Sequence, residues 1–161
     1  MNTGVEIGAP IGDSAISRCL FYRRMCGLPC AVDSGTGRII LTVGSVTGVT
    51  LPADLGRSML DRSTDCRQLD VGPIISHPRS GRWTILVQSN VADYREVFGR
   101  LYRLDATLAP LGAQIALPSP ADEGSAWRRW VRPPSRGDLP LATVVIDALV
   151  LAHRGATGRS K

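Results

Sequence analysis

The side chains able to do chemistry in these 161 residues are two histidines, four cysteines, fourteen carboxylates and nineteen basic groups, eighteen of them arginine. Nucleophilic catalysis needs a base beside the nucleophile, yet there is no Gly-x-Ser-x-Gly turn and only His77 and His153 could serve. His77, between Ser76 and Pro78, reads as a satisfied or exposed imidazole. His153 closes the last helical run, where an imidazolium suits the helix dipole. Neither Gly-x-Gly-x-x-Gly nor the Walker A pattern occurs, so the familiar phosphate cradles are missing. Metal-dependent phosphoryl transfer calls for alternating carboxylates on a strand, and the sequence has no Asp-x-Asp or Asp-x-Glu. Asp122 and Glu123 are adjacent, so they would diverge in an extended segment and read as a turn. Asp105 opens a strand-like piece, where one carboxylate either faces a groove or caps a loop.

Charge is the more informative signal. The net charge of +5 is carried almost entirely by arginine, with Arg79/Arg82 and Arg128/Arg129/Arg132/Arg136 forming two groups. Guanidinium groups bind phosphate oxygens by charge and paired hydrogen bonds, and neighbouring Trp83, Trp127 and Trp130 offer faces on which bases can stack. The alternatives are a solvated basic face and tryptophans packed in the core.

Cys19, Cys26, Cys30 and Cys66 are spaced by six, three and thirty-five intervening residues, which matches no zinc finger or ribbon, so reduced thiols in a core are expected and no metal or other cofactor. The first residues lack the basic and apolar regions of a secretory signal, and no run reaches the ~18 apolar residues of a membrane helix. A cytoplasmic protein without membrane contact is the expectation.

These groups must be positioned by one domain spanning residues 13–153, with a flexible arm at 1–12 and a disordered tail at 154–161. Helical spacing of Ala15, Ile16, Cys19, Tyr22 and Cys26 predicts a first helix capped by Asp13 or Ser14 and stopped by Gly27 and Pro29. A hairpin follows around Ser34–Gly37, then a strand end or loop over 44–51, and a helix from Pro52 with Leu55, Met59 and Leu60 as its stripe. After a polar link, Pro73–Ser76 and Trp83–Val87 form a second hairpin across Pro78 and Gly81. A helix over 92–104, two short strands divided by Pro110 and Gly112, a strand at WRRWV with Trp127 and Trp130 on opposite faces, and a helix over 141–153 complete the order. That succession predicts an α+β fold with a central mixed or antiparallel sheet and flanking helices.

The stretch GAQIALPSPADEGSAWRRWVRPP, Gly112 to Pro134, resembles the part of bacterial and plasmid primase-polymerase domains in which a glycine-led strand reaches a Pro-Pro-Ser turn and then a Tyr-x-Trp strand. Leu117-Pro118-Ser119 stands for that turn, and Trp127 and Trp130 for the strand. Upstream, Arg79-Ser80-Gly81-Arg82-Trp83 is similar to the family's Ser-Gly-Gly-Arg-His turn, and Asp105 falls near its third acidic motif. The likeness runs in order over about residues 30–135. It implies a primase-polymerase-like scaffold. The family's first acidic motif would fall within GRIILTVGSVTG, which has no carboxylate, and its phosphate-contacting histidine is replaced by Trp83.

The expectation is therefore a catalytically degenerate scaffold on which Arg79, Arg82, Trp83, Arg128, Arg129 and Arg132 contact single-stranded nucleic acid or nucleotide, with Asp105 a remnant carboxylate. The alternatives are a protein-interaction module using the same basic face, and an active DNA primase/polymerase binding Mg or Mn through unconventional ligands.

Overall fold

The computed structural model describes residues 13–66, 70–123, 125, 127–137 and 139–158. Helix α1 (Ala15–Cys26) starts at Ser14, whose hydroxyl accepts from the Ser17 amide while Ser17 returns the bond. It ends where Gly27 takes the left-handed conformation at φ 67°. Strands β1 (Cys30–Val32) and β2 (Ile39–Thr42) form the first hairpin, and β3 (Val46–Pro52) runs straight into α2 (Ala53–Cys66). Strands β4 (Ile74–His77) and β5 (Arg82–Gln88) form the second hairpin, followed by α3 (Tyr94–Arg103), β6 (Thr107–Leu108), β7 (Gln114–Leu117), β8 (Arg129–Arg132) and α4 (Ala142–Thr157).

The strands form two antiparallel sheets, and the larger is the central layer. One has the order β1-β2-β7 and the other β6-β3-β5-β4-β8. The larger sheet is covered on both faces, which is why β5 reads as the continuous run RWTILVQ and not as a polar–apolar alternation. Its period-two side chains sort into two cores. Val49, Leu51, Ile74, Trp83, Ile85 and Val87 face the layer of α2, α3 and α4. Val46, Ile75 and Leu86 face the layer formed by α1 and the smaller sheet, where Cys19, Tyr22, Cys26, Ile39, Leu41, Ile115 and Leu117 meet them. The result is a single α+β domain of three layers.

Several local expectations are corrected. Residues 46–52 form a full strand between β5 and β6, because Gly48 leaves room for the Ile115 side chain: a Cβ there would lie 2.8 Å from Ile115 Cδ1. Helix α2 continues through the polar link to Cys66, and α4 continues to Thr157, so Arg154–Thr157 of the expected tail is helical and His153 is exposed within the helix. Trp127 precedes β8 in a bend, so it and Trp130 do not alternate along one strand. The expected arm at 1–12 and the last residues, 159–161, lie outside the described residues, as does the Cys66 side chain. No described helix is long and apolar enough to cross a membrane.

Candidate nucleic-acid interface

The pairing registers bring several arginines to one end of the larger sheet. Pro52 at the end of β3 faces Arg82 at the start of β5, and Arg82 in turn faces His77 at the end of β4. Ser76 pairs with Arg129 at the start of β8, and Thr50 pairs with Thr107 at the start of β6. Arg57 in α2, Arg79 and Arg82 of the hairpin, Arg103 at the end of α3, and Arg128 and Arg129 therefore gather here. Arg132 does not. It pairs with Ile74 at the opposite end of β8 and reaches Asp70 at 3.2 Å, beside a small cavity of about 40 Å³.

Among the gathered arginines, some are spent on structure. Arg128 lies against Asp122 at 3.0 Å, with only 11% and 7% of the two side chains exposed. Asp122 also accepts from the Ser119 amide at 2.9 Å and from its hydroxyl at 3.1 Å, closing a capping box around the 3-10 turn Pro120–Asp122. The carboxylate is thus saturated, while Arg128 Nε is buried without a hydrogen-bond partner among the described residues. Arg82 donates to Asp105 Oδ2 at 3.0 Å and to the Asp105 carbonyl at 2.5 Å. Asp105 takes φ 51° in the turn after α3, so it does not begin a strand.

Trp83 is buried in the core, with the α2 backbone against its ring: a Cβ on Gly56 would lie 2.4 Å from Trp83 Cε3. It offers no face to a base, which corrects its expected stacking role. Trp130 is half-buried and donates to the Tyr22 hydroxyl at 2.9 Å, which itself donates to the Pro118 carbonyl at 2.8 Å. Burial pushes the Tyr22 hydroxyl pKa up and so keeps this donor protonated.

Trp127 is the tryptophan that stays at the surface. The residue is 43% exposed, and the Arg79 guanidinium lies 3.7 Å from its ring centroid, with that of Arg38 at 6.0 Å. Arg79, Arg38 and Arg129 are exposed and make no ion pair with a described carboxylate within 4 Å. Asp33, in the hairpin before Arg38, is held below the usual carboxylate range by the Thr36 hydroxyl, the Gly35 amide and the charge of Arg38. Behind this surface, His77 Nε2 and Thr84 Oγ1 are 2.9 Å apart, and Thr84 Oγ1 is 2.9 Å from Thr50 Oγ1. Burial first, and the nearby positive Arg128 second, lower the His77 pKa and favour its neutral form.

Among the described residues no three His, Cys, Asp or Glu side chains converge as a metal site. Of the carboxylates singled out from sequence, Asp105 is paired with Arg82, and Asp122 with Arg128 and Ser119. The chemistry the arrangement offers is anion binding beside an aromatic face.

The chain matches no family model, no curated protein and no solved structure. Its function is read from the site itself.

Of the arginines expected from sequence, Arg79 and Arg129 are free to meet a ligand, whereas Arg82, Arg128 and Arg132 are paired. The sequence does not single out Arg38, and it marks Asp122 as a turn residue without showing its pairing with Arg128. Ser119-x-x-Asp122 is a legible capping pattern that signals Asp122, whereas nothing local to Arg38 announces Trp127.

Proposed function

We propose that the chain is a catalytically degenerate, primase-polymerase-like protein that binds single-stranded nucleic acid or nucleotide as an accessory factor. The observation that carries this reading is the exposed Trp127 ring with the Arg79 guanidinium against it and that of Arg38 nearby. A base stacks on the indole in place of one arginine, and the displaced guanidinium meets the adjoining phosphate. Arg129 adds charge at the same sheet end, while Arg128, locked by Asp122, holds the segment that presents Trp127. The surplus of positive charge over the chain draws the polyanion in. Nothing in this reading requires a covalent step.

The test is a titration of fluorescein-labelled oligodeoxythymidine at several salt concentrations. Each phosphate neutralised contributes about −0.7 to the log-log slope for a single strand. Trp127→Ala is expected to weaken binding by roughly 5- to 150-fold, the equivalent of about 1–3 kcal/mol per stacked base. Absence of binding at submicromolar protein would overturn the proposal in favour of a module that binds only protein.

A further inference from the structure

Helix α3 carries a feature that the fold does not use. Phe98 and Tyr102 are 61% and 75% exposed, and their rings stack at 6.2 Å with an interplanar angle of 27°. One turn earlier, Tyr94 donates its hydroxyl to the Leu108 carbonyl, so the row 94/98/102 stands beside β6, the edge strand of the larger sheet. The core contacts of α3 come from Val97 and Leu101, on another side of the helix. Aromatic rings left in water at this spacing are a cost unless something covers them. Arg95 and Arg103 are exposed next to the row in sequence and make no ion pair with a described carboxylate, Arg100 is engaged by Asp147, and the carboxylates Asp93 and Glu96 are exposed at the start of the same helix.

The row leads to the basic end of the sheet. Tyr102 lies three residues before Asp105, which Arg82 of the β4–β5 hairpin grips, and the same hairpin carries Arg79 onto Trp127. From β6 to β8 the sheet spans four inter-strand spacings, on the order of 19 Å.

We infer that Phe98 and Tyr102, flanked by Arg95 and Arg103, form a second stacking platform for the same single-stranded polynucleotide, which crosses the sheet end from Trp127 to α3. This rests on the function proposed above and adds to it a minimum ligand length. Stacked aromatics with exposed guanidinium groups nearby match bases next to phosphates, and the continuity of the row with the basic end of the sheet selects a polyanion over an apolar partner helix.

The experiment compares dT20 with dT3, the latter too short to bridge both platforms, on the full chain. Wild type is expected to bind dT20 more tightly than dT3. The double substitution Phe98→Ala/Tyr102→Ala is expected to weaken dT20 by about 10-fold or more while leaving dT3 at Trp127 unchanged. Phe98→Leu/Tyr102→Leu, which keeps apolar bulk but removes the rings, should show the same loss, and circular dichroism checks that each variant is folded. If dT20 binds the folded variants as tightly as wild type, or wild type does not prefer dT20, the second platform is overturned and the Trp127 site stands. Failure of both oligonucleotides to bind wild type overturns the Trp127 reading together with it.

Discussion

Arg128 Nη1 lies 3.0 Å from Asp122 Oδ1, and this pair is the most deeply buried ion pair among the described residues. Removing one member strands the other charge away from water. Asp122→Ala is expected to destabilise the fold by about 3–5 kcal/mol, whereas replacing both residues by apolar side chains of similar volume costs far less. Urea unfolding of the single and double variants checks this, and equal losses in both would remove the pair from its structural role.

Trp83 and Trp127 divide structure from binding. Trp83→Ala is expected to cost about 3–5 kcal/mol of stability because the ring is buried against Gly56. Trp127→Ala should leave the urea midpoint nearly unchanged and weaken only oligonucleotide binding. A Trp127 variant that unfolds as readily as the Trp83 variant would contradict this division.

Gly56 tests the same contact from the other side. In an exposed helix, Gly→Ala gains up to about 1 kcal/mol from propensity. Here the added methyl meets the ring at 2.4 Å, and the helix must shift, so Gly56→Ala is expected to lose about 1–3 kcal/mol. A raised melting temperature would show that the ring yields freely.

His77 predicts an acid-sensitive fold. Burial and Arg128 lower its folded pKa below the ordinary 6.5, so above that value folded and unfolded chains both hold it neutral. As pH falls below about 6.5 the unfolded chain takes up the proton first, and stability declines until the folded pKa is passed. His77→Gln, which keeps a polar group near Thr84, should flatten the pH dependence between pH 7 and pH 5. Parallel curves for wild type and variant would dismiss the effect.

Cys19 and Cys30 face each other with sulfurs 3.6 Å apart in the core. Burial, with the Cys19 contact adding to it, pushes the Cys30 thiol up to about 12. The thiolate is disfavoured and the sulfur is buried, so iodoacetamide should modify Cys30 only after unfolding. Rapid labelling of the native chain, read by peptide mass spectrometry, would contradict that burial.

Much of the scaffold was legible because local spacing reports how an element is buried. Cys19, Tyr22 and Cys26 recur at helical spacing and do share one core. The unbroken apolar run after Arg82 signals a strand covered on both faces, and Ser80-Gly81 signals the turn before it. The strand at 46–52 was harder to see. Its Thr and Gly residues look like loop chemistry until Ile115 and Thr84 are seen to occupy the space above Gly48.

By itself, then, the sequence determined the kinds of elements, their order and the basic character of the chain, since helix and strand periods and glycine turns are written in neighbouring residues. Only the tertiary structure decided which arginines remain free and which tryptophan meets water. Arg82 is neutralised from 23 residues away and Arg132 from 62, while Trp127 receives Arg79 across the sheet end. Such pairings depend on strand register and layer packing, and a charge carries no local mark of the partner that the fold will bring to it.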